Sequence, residues 1–228
     1  AALTITDGPG GKFKFDKELK GLDLVRRDWC IQSKDSGKYV IDQILSGEDR
    51  ELIVNNIHDH LEKVAKQMRS GELSLDKYVI TKGLNKHPNE YPDGKSLPHV
   101  HVAKTMLKNH KAVSIGDHIP YVIIESAEEE GNSAANSKKT ASERARHPEE
   151  IERSNGELKP DIDWYLNNQI LPTISRLCEP IEGTSPGILA EKLGLDSSKY
   201  NAVSVNIDED DIVDYTPASC LPDEERFK

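Results

Sequence analysis

Apolar residues recur at steps of three and four along residues 50–71, which is the spacing of one face of an α-helix. The members of this stripe are Ile53, Ile57, Leu61, Val64 and Met68. Gly71 follows as a residue type that commonly ends helices, and Ser46-Gly47-Glu48-Asp49 matches a capping box. The pattern predicts helical structure from Cys30 to Gly71, with a long amphipathic helix in its second part.

A second helical pattern covers residues 161–178, where Leu166, Ile170, Ile174 and Leu177 share one face. Pro172 is expected to kink this helix and Pro180 to stop it, because proline lacks the backbone N–H that helical bonding needs. Shorter helical patterns cover Val100–Leu107, Ala141–Arg153 and Pro186–Leu193. Most of the chain is therefore predicted to be helical.

Strand patterns are fewer and shorter. Thr4–Thr6 and Lys12–Phe15 flank a glycine-rich run and predict a hairpin, and further strands are predicted at Lys77–Leu84 and Ile119–Glu125. The predicted fold class is therefore α+β: a short β element followed by a mainly helical domain with a few strands.

Two segments hold too few apolar residues to join a core. Residues 126–140 predict a mobile insertion, and the last 21 residues, with eight Asp or Glu against two Lys or Arg, predict an acidic linker. The expected divisions are a β element at 1–28, a helical domain at 29–205 and the linker at 206–228. The chain starts at Ala1, without methionine and within a strand pattern, and is expected to be a piece of a longer protein.

The formal net charge of −10 would argue against a nucleic-acid partner if it were evenly spread. Residues 1–125 carry 19 Lys and Arg against 18 Asp and Glu, so the negative excess lies in the second half and the first half can still present a basic face. Three dispersed cysteines fit neither a zinc knuckle nor a disulfide scaffold and indicate a reducing compartment. No apolar run is long enough to predict a membrane span.

The most informative segment is residues 20–29, Lys-Gly-Leu-Asp-Leu-Val-Arg-Arg-Asp-Trp. A strand pattern leads into Arg26 and Arg27, and Asp28 is a potential cap for the helix that follows. Because a guanidinium can hold a phosphate with two hydrogen bonds, contact with nucleic acid is one interpretation of the arginines, and the residues alone leave it open. The alternative is a structural network between the arginines and the neighbouring aspartates.

Lys63, Lys66 and Arg69 leave the same choice open. They lie away from the apolar stripe, near the end of the long helix, where the helix dipole favours cations. They form either a solvated face or a set of phosphate contacts.

No metal or catalytic site is predicted in this chain. His99 and His101 alternate around Val100, but no cysteine or clustered acid supplies a third ligand at a suitable spacing. Asp208, Asp210 and Asp211 follow an alternating apolar run, but the run continues as more acid without a return strand.

An ordered set of motifs is similar to family B DNA polymerases, in particular to their alpha type. The first is the run Lys-Gly-Leu, acid, Val-Arg-Arg-Asp at 20–28, followed by Trp29-Cys30. The others, in chain order, are Tyr39–Ile41 with Gln43–Leu45, Tyr91–Asp93 with Lys95–Ala103, Gly116-Asp117 with Pro120–Ile123, Ala141–Glu150, Tyr165-Leu166 with Gln169-Ile170 and Pro172, and Arg176–Ile181. The set spans most of the chain.

The resemblance implies a right-hand polymerase in which residues 1–28 end the palm and residues 29–205 form the thumb that wraps the primer–template duplex. It implies a nuclear replicative enzyme that uses magnesium and extends RNA primers made by an associated primase, together with an accessory subunit. The metal-binding aspartate motifs and the fingers helix of the family are expected upstream of Ala1, and its cysteine-rich zinc modules beyond Lys228. This segment alone is therefore expected to hold no cofactor and to be inactive.

The expected nucleic-acid contacts are Lys20, Arg26, Arg27, Lys63, Lys66, Arg144 and Arg146. They should reach phosphates and sugars, because a polymerase has to hold every sequence equally. The alternative function is a non-catalytic helical scaffold that binds another protein, in which the basic residues form salt bridges.

Overall fold

The structure is a computed structural model that describes residues 2–7, 13–18, 26–92, 96–126 and 140–201. Four predicted features lie wholly or largely outside these ranges: the glycine-rich hairpin loop, the segment 20–25, the insertion at 126–140 and the acidic linker at 206–228. They stay predictions.

The first two strands form the predicted hairpin. β1 (Ala2–Asp7) pairs antiparallel with β2 (Phe13–Glu18), and Ile5 lies opposite Phe15 in the register. The β-branched Thr and Ile residues of the first strand favour an extended backbone.

The region from Cys30 to Gly71 is helical, as predicted. It consists of α1 (Ile31–Ile44) and α2 (Arg50–Ser70). All five residues of the apolar stripe on α2 are buried. The helix ends at Gly71, whose φ of 73° is the left-handed conformation that glycine adopts without strain.

The predicted capping box before α2 is wrong. Asp49 occupies the capping position, and its side chain makes no capping hydrogen bond. Ser46 instead donates from its hydroxyl to the carbonyl of Gln43 at 2.7 Å, at the end of α1. The left-handed Gly47, with φ 76°, follows directly and turns the chain toward α2.

A three-stranded antiparallel sheet has the order β3-β4-β5. Its strands are β3 (Ile80–Gly83), β4 (His118–Ile123) and β5 (Ala145–Arg146). β3 is shorter than the strand predicted at 77–84, because Leu75–Tyr78 form a 3₁₀ turn before it.

Two further helices lie in this region of the chain, one between β3 and β4 and one directly after β5. α3 (Pro98–Lys108) confirms the helix predicted around Val100–Leu107 and begins at a proline, which is tolerated in the first helical turn. The helix predicted at 141–153 is wrong in its first half, since only α4 (Pro148–Arg153) is helical there. Pro148 disfavours helical backbone at the residue before it, so His147 is extended and β5 precedes it.

The helix predicted at 161–178 exists but is interrupted. α5 (Ile162–Tyr165) leads into a π-helical turn at Leu166–Ile170 and then into α6 (Leu171–Cys178). Within the turn, the N–H of Leu171 bonds to the carbonyl of Leu166, five residues back. The irregularity expected at Pro172 therefore takes the form of a π turn directly before it. The chain continues through α7 (Pro186–Lys192) and α8 (Ser198–Asn201).

One apolar core joins the helices to the sheet. α1 packs between α2 and α6, α2 also packs on α7, and α3 packs on β4. Tyr165 is completely buried, and its hydroxyl oxygen accepts the N–H of Ile123 at 3.1 Å, which ties the α5–α6 region to the central strand. The α+β prediction is confirmed. Within the described part of the chain, no helix has the length and apolar character needed to cross a membrane.

Candidate nucleic-acid interface

The segment from Arg26 to Cys30 lies along the edge of the sheet and leads into α1. The carbonyl of Arg27 accepts the N–H of Thr81 at 3.3 Å, and Thr81 belongs to β3, an edge strand. Asp28 does not cap α1 as predicted, because the capping residue is Cys30, whose Sγ accepts the N–H of Ser33 at 3.4 Å.

An open groove of about 340 Å³ lies where this segment meets α1 and the sheet. We call it the Arg27 groove, and it is lined by Arg27, Trp29, Ile31, Lys34, Val79, Thr81 and His118. The groove therefore combines an aromatic and aliphatic wall with two basic side chains, Arg27 and Lys34.

The side chains of the Arg27 groove can hold an anion. Arg27 points its guanidinium at Nε2 of His118, and because a guanidinium has no acceptor, the histidine nitrogen accepts in this contact. The guanidinium of Arg176 lies 5.8 Å from the ring centroid of Trp29, within the range of a cation–π contact. Arg27 forms no ion pair with any carboxylate of the described residues. Its charge is therefore not neutralised there.

Arg26 is held differently from Arg27. It pairs with Asp28 at 2.7 Å, and the two side chains are 60% and 36% exposed. Burial pushes the pKa of Asp28 up, but its backbone hydrogen bond, Arg26 and the nearby Lys82 outweigh this and lower it overall. The Arg–Asp network that the sequence left open is thus formed by Arg26. An exposed pair of this kind contributes about 0–1 kcal/mol, so a phosphate can replace the carboxylate at little cost.

Lys63 and Lys66 lie on the exposed side of α2, opposite the buried stripe. Neither forms an ion pair with the acids that the structure describes. Arg69, the third cation of this group, pairs with Asp163 at 3.5 Å, and its Nη2 also donates to the carbonyl of Gly194 at 3.3 Å.

Arg144 and Arg146 make internal contacts. Arg144 is only 12% exposed, pairs with Asp161 and donates to the carbonyl of Ile124 at 3.0 Å. Arg146 is half-buried and donates to the carbonyls of Glu143 and Ala145 at 2.7 and 2.8 Å. Duplex contact by either residue stays a prediction, and these contacts do not favour it.

Lys20 lies outside the described residues, so its position relative to the groove stays a prediction. Of the predicted contact residues, Arg27 lines the groove and Arg26 precedes it in the chain without being part of the lining, while Lys63 and Lys66 lie together on α2.

Sequence reasoning missed Lys34 and His118. Lys34 had a usable signal, since a helix that begins directly after Cys30 places its first turn beside Arg27. His118 had none, because it reaches the groove from β4, 91 residues along the chain from Arg27.

His99 and His101, the two histidines around Val100, both lie on α3. Among the described residues, no group of three or more His, Cys, Asp or Glu side chains is arranged to hold a metal ion. His99 is 3% exposed and packs edge-on against the ring of Tyr91, with 6.1 Å between centroids. Burial, aided by Lys82, lowers the pKa of His99 to about 4, so this imidazole is neutral at physiological pH.

Comparison with known proteins identifies the class. The family model of DNA polymerase family B matches residues 4–181, and the chain belongs to this family. Within it, the chain is similar to DNA polymerase alpha catalytic subunits: it is 42% identical to that of Oryza sativa subsp. japonica over 219 residues, 44% to that of Arabidopsis thaliana over 224 and 38% to that of Mus musculus over 229. These alignments cover 96%, 96% and 100% of this chain but only 14%, 14% and 15% of the relatives.

A solved structure supports the fold. The family B DNA polymerase from the hyperthermophilic archaeon Pyrobaculum calidifontis matches 77% of this chain with a TM-score of 0.56 at 23% identity. The match takes up 20% of the archaeal chain. The predicted family resemblance is confirmed, and the chain corresponds to a small part of its relatives' length.

Proposed function

We propose that this chain is the primer–template gripping part of a replicative DNA-directed DNA polymerase of the alpha type. Residues 1–28 then end the palm and residues 29–205 form the thumb. The observation that carries the proposal is the Arg27 groove, where a guanidinium without a carboxylate partner among the described residues stands beside Lys34, His118 and an aromatic wall.

The chemistry of the groove suits a sugar–phosphate backbone. Arginine binds phosphate through two parallel hydrogen bonds and stays charged at every physiological pH. The half-buried Trp29 and the aliphatic Val79 offer a surface for the less polar faces of a sugar. Such contacts carry no base information, which is what a polymerase that copies every sequence requires.

The proposal assigns the chemistry of nucleotide transfer to other parts of the polymerase. In two-metal phosphoryl transfer, carboxylates hold the magnesium ions, and the described residues offer no such cluster. The proposed enzyme is nuclear, uses magnesium and works with a primase and an accessory subunit to extend primers. The 228-residue chain alone should incorporate no nucleotide in a primer-extension assay with magnesium and four nucleotides.

The gripping role is tested by the salt dependence of binding. Each phosphate contact adds about −0.9 to the slope of log affinity against log salt concentration. Arg27→Ala should weaken binding of the 228-residue chain to a fluorescent primer–template and flatten this slope by about one unit, equally for unrelated sequences. Arg26→Ala should act in the same direction. Arg153→Ala is the matched control, because it removes one exposed cation that pairs with Glu149.

Three results would contradict the proposal. One is an absence of duplex binding by the unmodified chain, and the second is a slope that Arg27→Ala leaves unchanged. The third is equal flattening by Arg153→Ala, which would mean that only total charge matters. An unchanged slope with a lowered melting temperature would favour the scaffold alternative, in which these arginines are structural.

A further inference from the structure

The start of α1 depends on a residue from another helix. In a capping box, a Glu or Gln at the third helical position reaches back to the N–H of the capping residue. Here the third position is Ser33, whose hydroxyl points away and donates to the carbonyl of Gln169 at 2.6 Å. The N–H of Cys30 is instead accepted by Oε1 of Gln169 at 3.0 Å. Gln169, 139 residues away in the chain, thus accepts the N–H of the capping residue, a role that a Glu or Gln of the same helix usually has.

Both partners of the hydrogen bond between Gln169 and the N–H of Cys30 are buried. Gln169 is 8% exposed and Cys30 is fully buried. Burial raises the pKa of the Cys30 thiol to about 12, so it caps the helix as a neutral, weak acceptor. A buried N–H that loses its acceptor is costly, because water does not replace the lost bond. The amide of Gln169 therefore restrains the backbone N–H of Cys30, while the Cys30 carbonyl accepts the N–H of Lys34 at 3.2 Å.

The local structure of Gln169 explains why it reaches this far. It lies in the π-helical turn at Leu166–Ile170, where one extra residue shifts the side chains that follow around the helix. The hydroxyl of Thr173 lies 3.0 Å from that of Ser33, so the same helical face meets α1 at a second point. Arg176, seven residues after Gln169, lies over the ring of Trp29. The helical segment from 166 to 178 therefore contacts the first turn of α1 and the two residues before it, Trp29 and Cys30.

We infer that Gln169 is a positioning residue for the duplex contact made by Arg27. The segment from Arg27 to Cys30 is short and is held at both ends. The N–H of Thr81 bonds to the carbonyl of Arg27, and Gln169 accepts the N–H of Cys30. Only Asp28 and Trp29 lie between. Releasing the Cys30 end lets the backbone of Arg27 leave the edge of β3, so the guanidinium no longer meets a phosphate at a fixed position. The inference rests on the proposed role of Arg27.

Two substitutions at Gln169 distinguish the effect of its acceptor oxygen from the effect of its side-chain volume. Gln169→Met keeps the shape of the side chain and removes the acceptor, whereas Gln169→Glu keeps an acceptor oxygen for the Cys30 N–H. In the chain without duplex, Gln169→Met should speed hydrogen exchange of the amides at 28–31 by about tenfold or more, and Gln169→Glu should keep them protected. Val64→Ala, a buried substitution on α2, is the control for general destabilisation.

Duplex binding then tests the coupling to Arg27. Gln169→Met should weaken primer–template binding by about three- to tenfold and flatten the salt slope by up to about one unit, while Gln169→Glu and Val64→Ala leave the slope unchanged. In the Arg27→Ala background, Gln169→Met should have no further effect on the slope, because interacting residues are not additive.

The outcomes distinguish the two proposals. If Arg27→Ala flattens the slope and Gln169→Met does not, the inference is overturned and the gripping role stands. Unchanged exchange at 28–31 in Gln169→Met also overturns the inference, whatever the duplex does. If Gln169→Met speeds exchange but neither it nor Arg27→Ala alters the slope, the gripping role of Arg27 fails and the positioning role with it.

Discussion

Arg144 and Asp161 form an ion pair that is largely shielded from solvent, with side chains 12% and 21% exposed. Arg144 also donates to the carbonyl of Ile124, and the other carboxylate oxygen of Asp161 accepts the N–H of Trp164 at 3.0 Å at the start of α5. The pair therefore joins the end of β4 to α5.

Breaking this pair should destabilise the fold. Arg144→Met leaves a poorly solvated carboxylate without its cation, and we expect a loss of about 3 kcal/mol in the free energy of unfolding in urea. Arg153→Met removes an arginine that is 73% exposed and should change it by less than about 0.5 kcal/mol. The double variant Arg144→Met with Asp161→Asn should regain part of the loss, because the uncompensated charge is gone. Equal effects of the two arginine substitutions would contradict the structural role of Arg144.

The end of α7 offers a test of the Arg69 contact. Gly194 has φ 68°, and a Cβ there would lie 2.8 Å from Nη1 of Arg69. Gly194→Ala should cost about 1 kcal/mol for the left-handed backbone and roughly 0.5 kcal/mol more for displacing the guanidinium. Gly71→Ala is the matched control, with φ 73° and no atom within 4 Å of the added carbon, and should cost only the backbone part. In an Arg69→Ala background the difference between the two glycines should disappear, as thermal unfolding can measure.

His99 should make stability fall in mild acid. Its pKa is about 4 in the folded protein, against about 6.5 for an unperturbed histidine, so the unfolded chain binds the proton more strongly. The stabilisation that neutral His99 adds to the free energy of unfolding is fully present above pH 6.5. It is lost as pH falls toward 4, at up to about 1.4 kcal/mol per pH unit. His60, His101 and His147 also have lowered pKa values. The test is therefore the difference between the unfolding free energies of the native chain and His99→Leu, which should shrink in that interval.

Periodicity predicted the long elements because burial dictates them. The stripe on α2 repeats at the helical period and all five of its residues are buried, and of the face predicted at 161–178 Leu166, Ile170 and Ile174 are buried while Leu177 is half-buried. The local sequence was less informative where the same residues fit two different structures. Ser46 suited a helix start by composition, but Gly47 turned the chain after it, so its hydroxyl closes α1 instead. Ala145 and Arg146 pair with β4, and this tertiary pairing overrides their helical pattern.

The candidate site shows a similar limit. Arg26 and Arg27 were recognisable because they are adjacent and follow a strand pattern, but the sequence could not divide their roles. The structure divides them: Arg26 pairs with Asp28, two residues along the chain, whereas His118 of β4, 91 residues away, faces Arg27. Gln169 could be recognised only as part of a family motif, because its partner Cys30 lies 139 residues away and no local pattern predicted the π turn in which Gln169 lies.

Substitutions at Lys63 and Lys66 test whether the proposed duplex surface extends from the Arg27 groove onto α2. Both are exposed on α2 and have no ion-pair partner among the described residues, so Lys→Gln substitutions should change the unfolding free energy by less than about 0.5 kcal/mol. If their ammonium groups meet phosphates, each substitution should flatten the salt slope of primer–template binding by about 0.9, and the pair by about twice that. Lys108→Gln, an exposed lysine at the end of α3, controls for the loss of one charge. Equal slopes for the native chain and the Lys63→Gln, Lys66→Gln double variant would restrict the proposed surface to the groove, and would leave these two lysines as a solvated helix face.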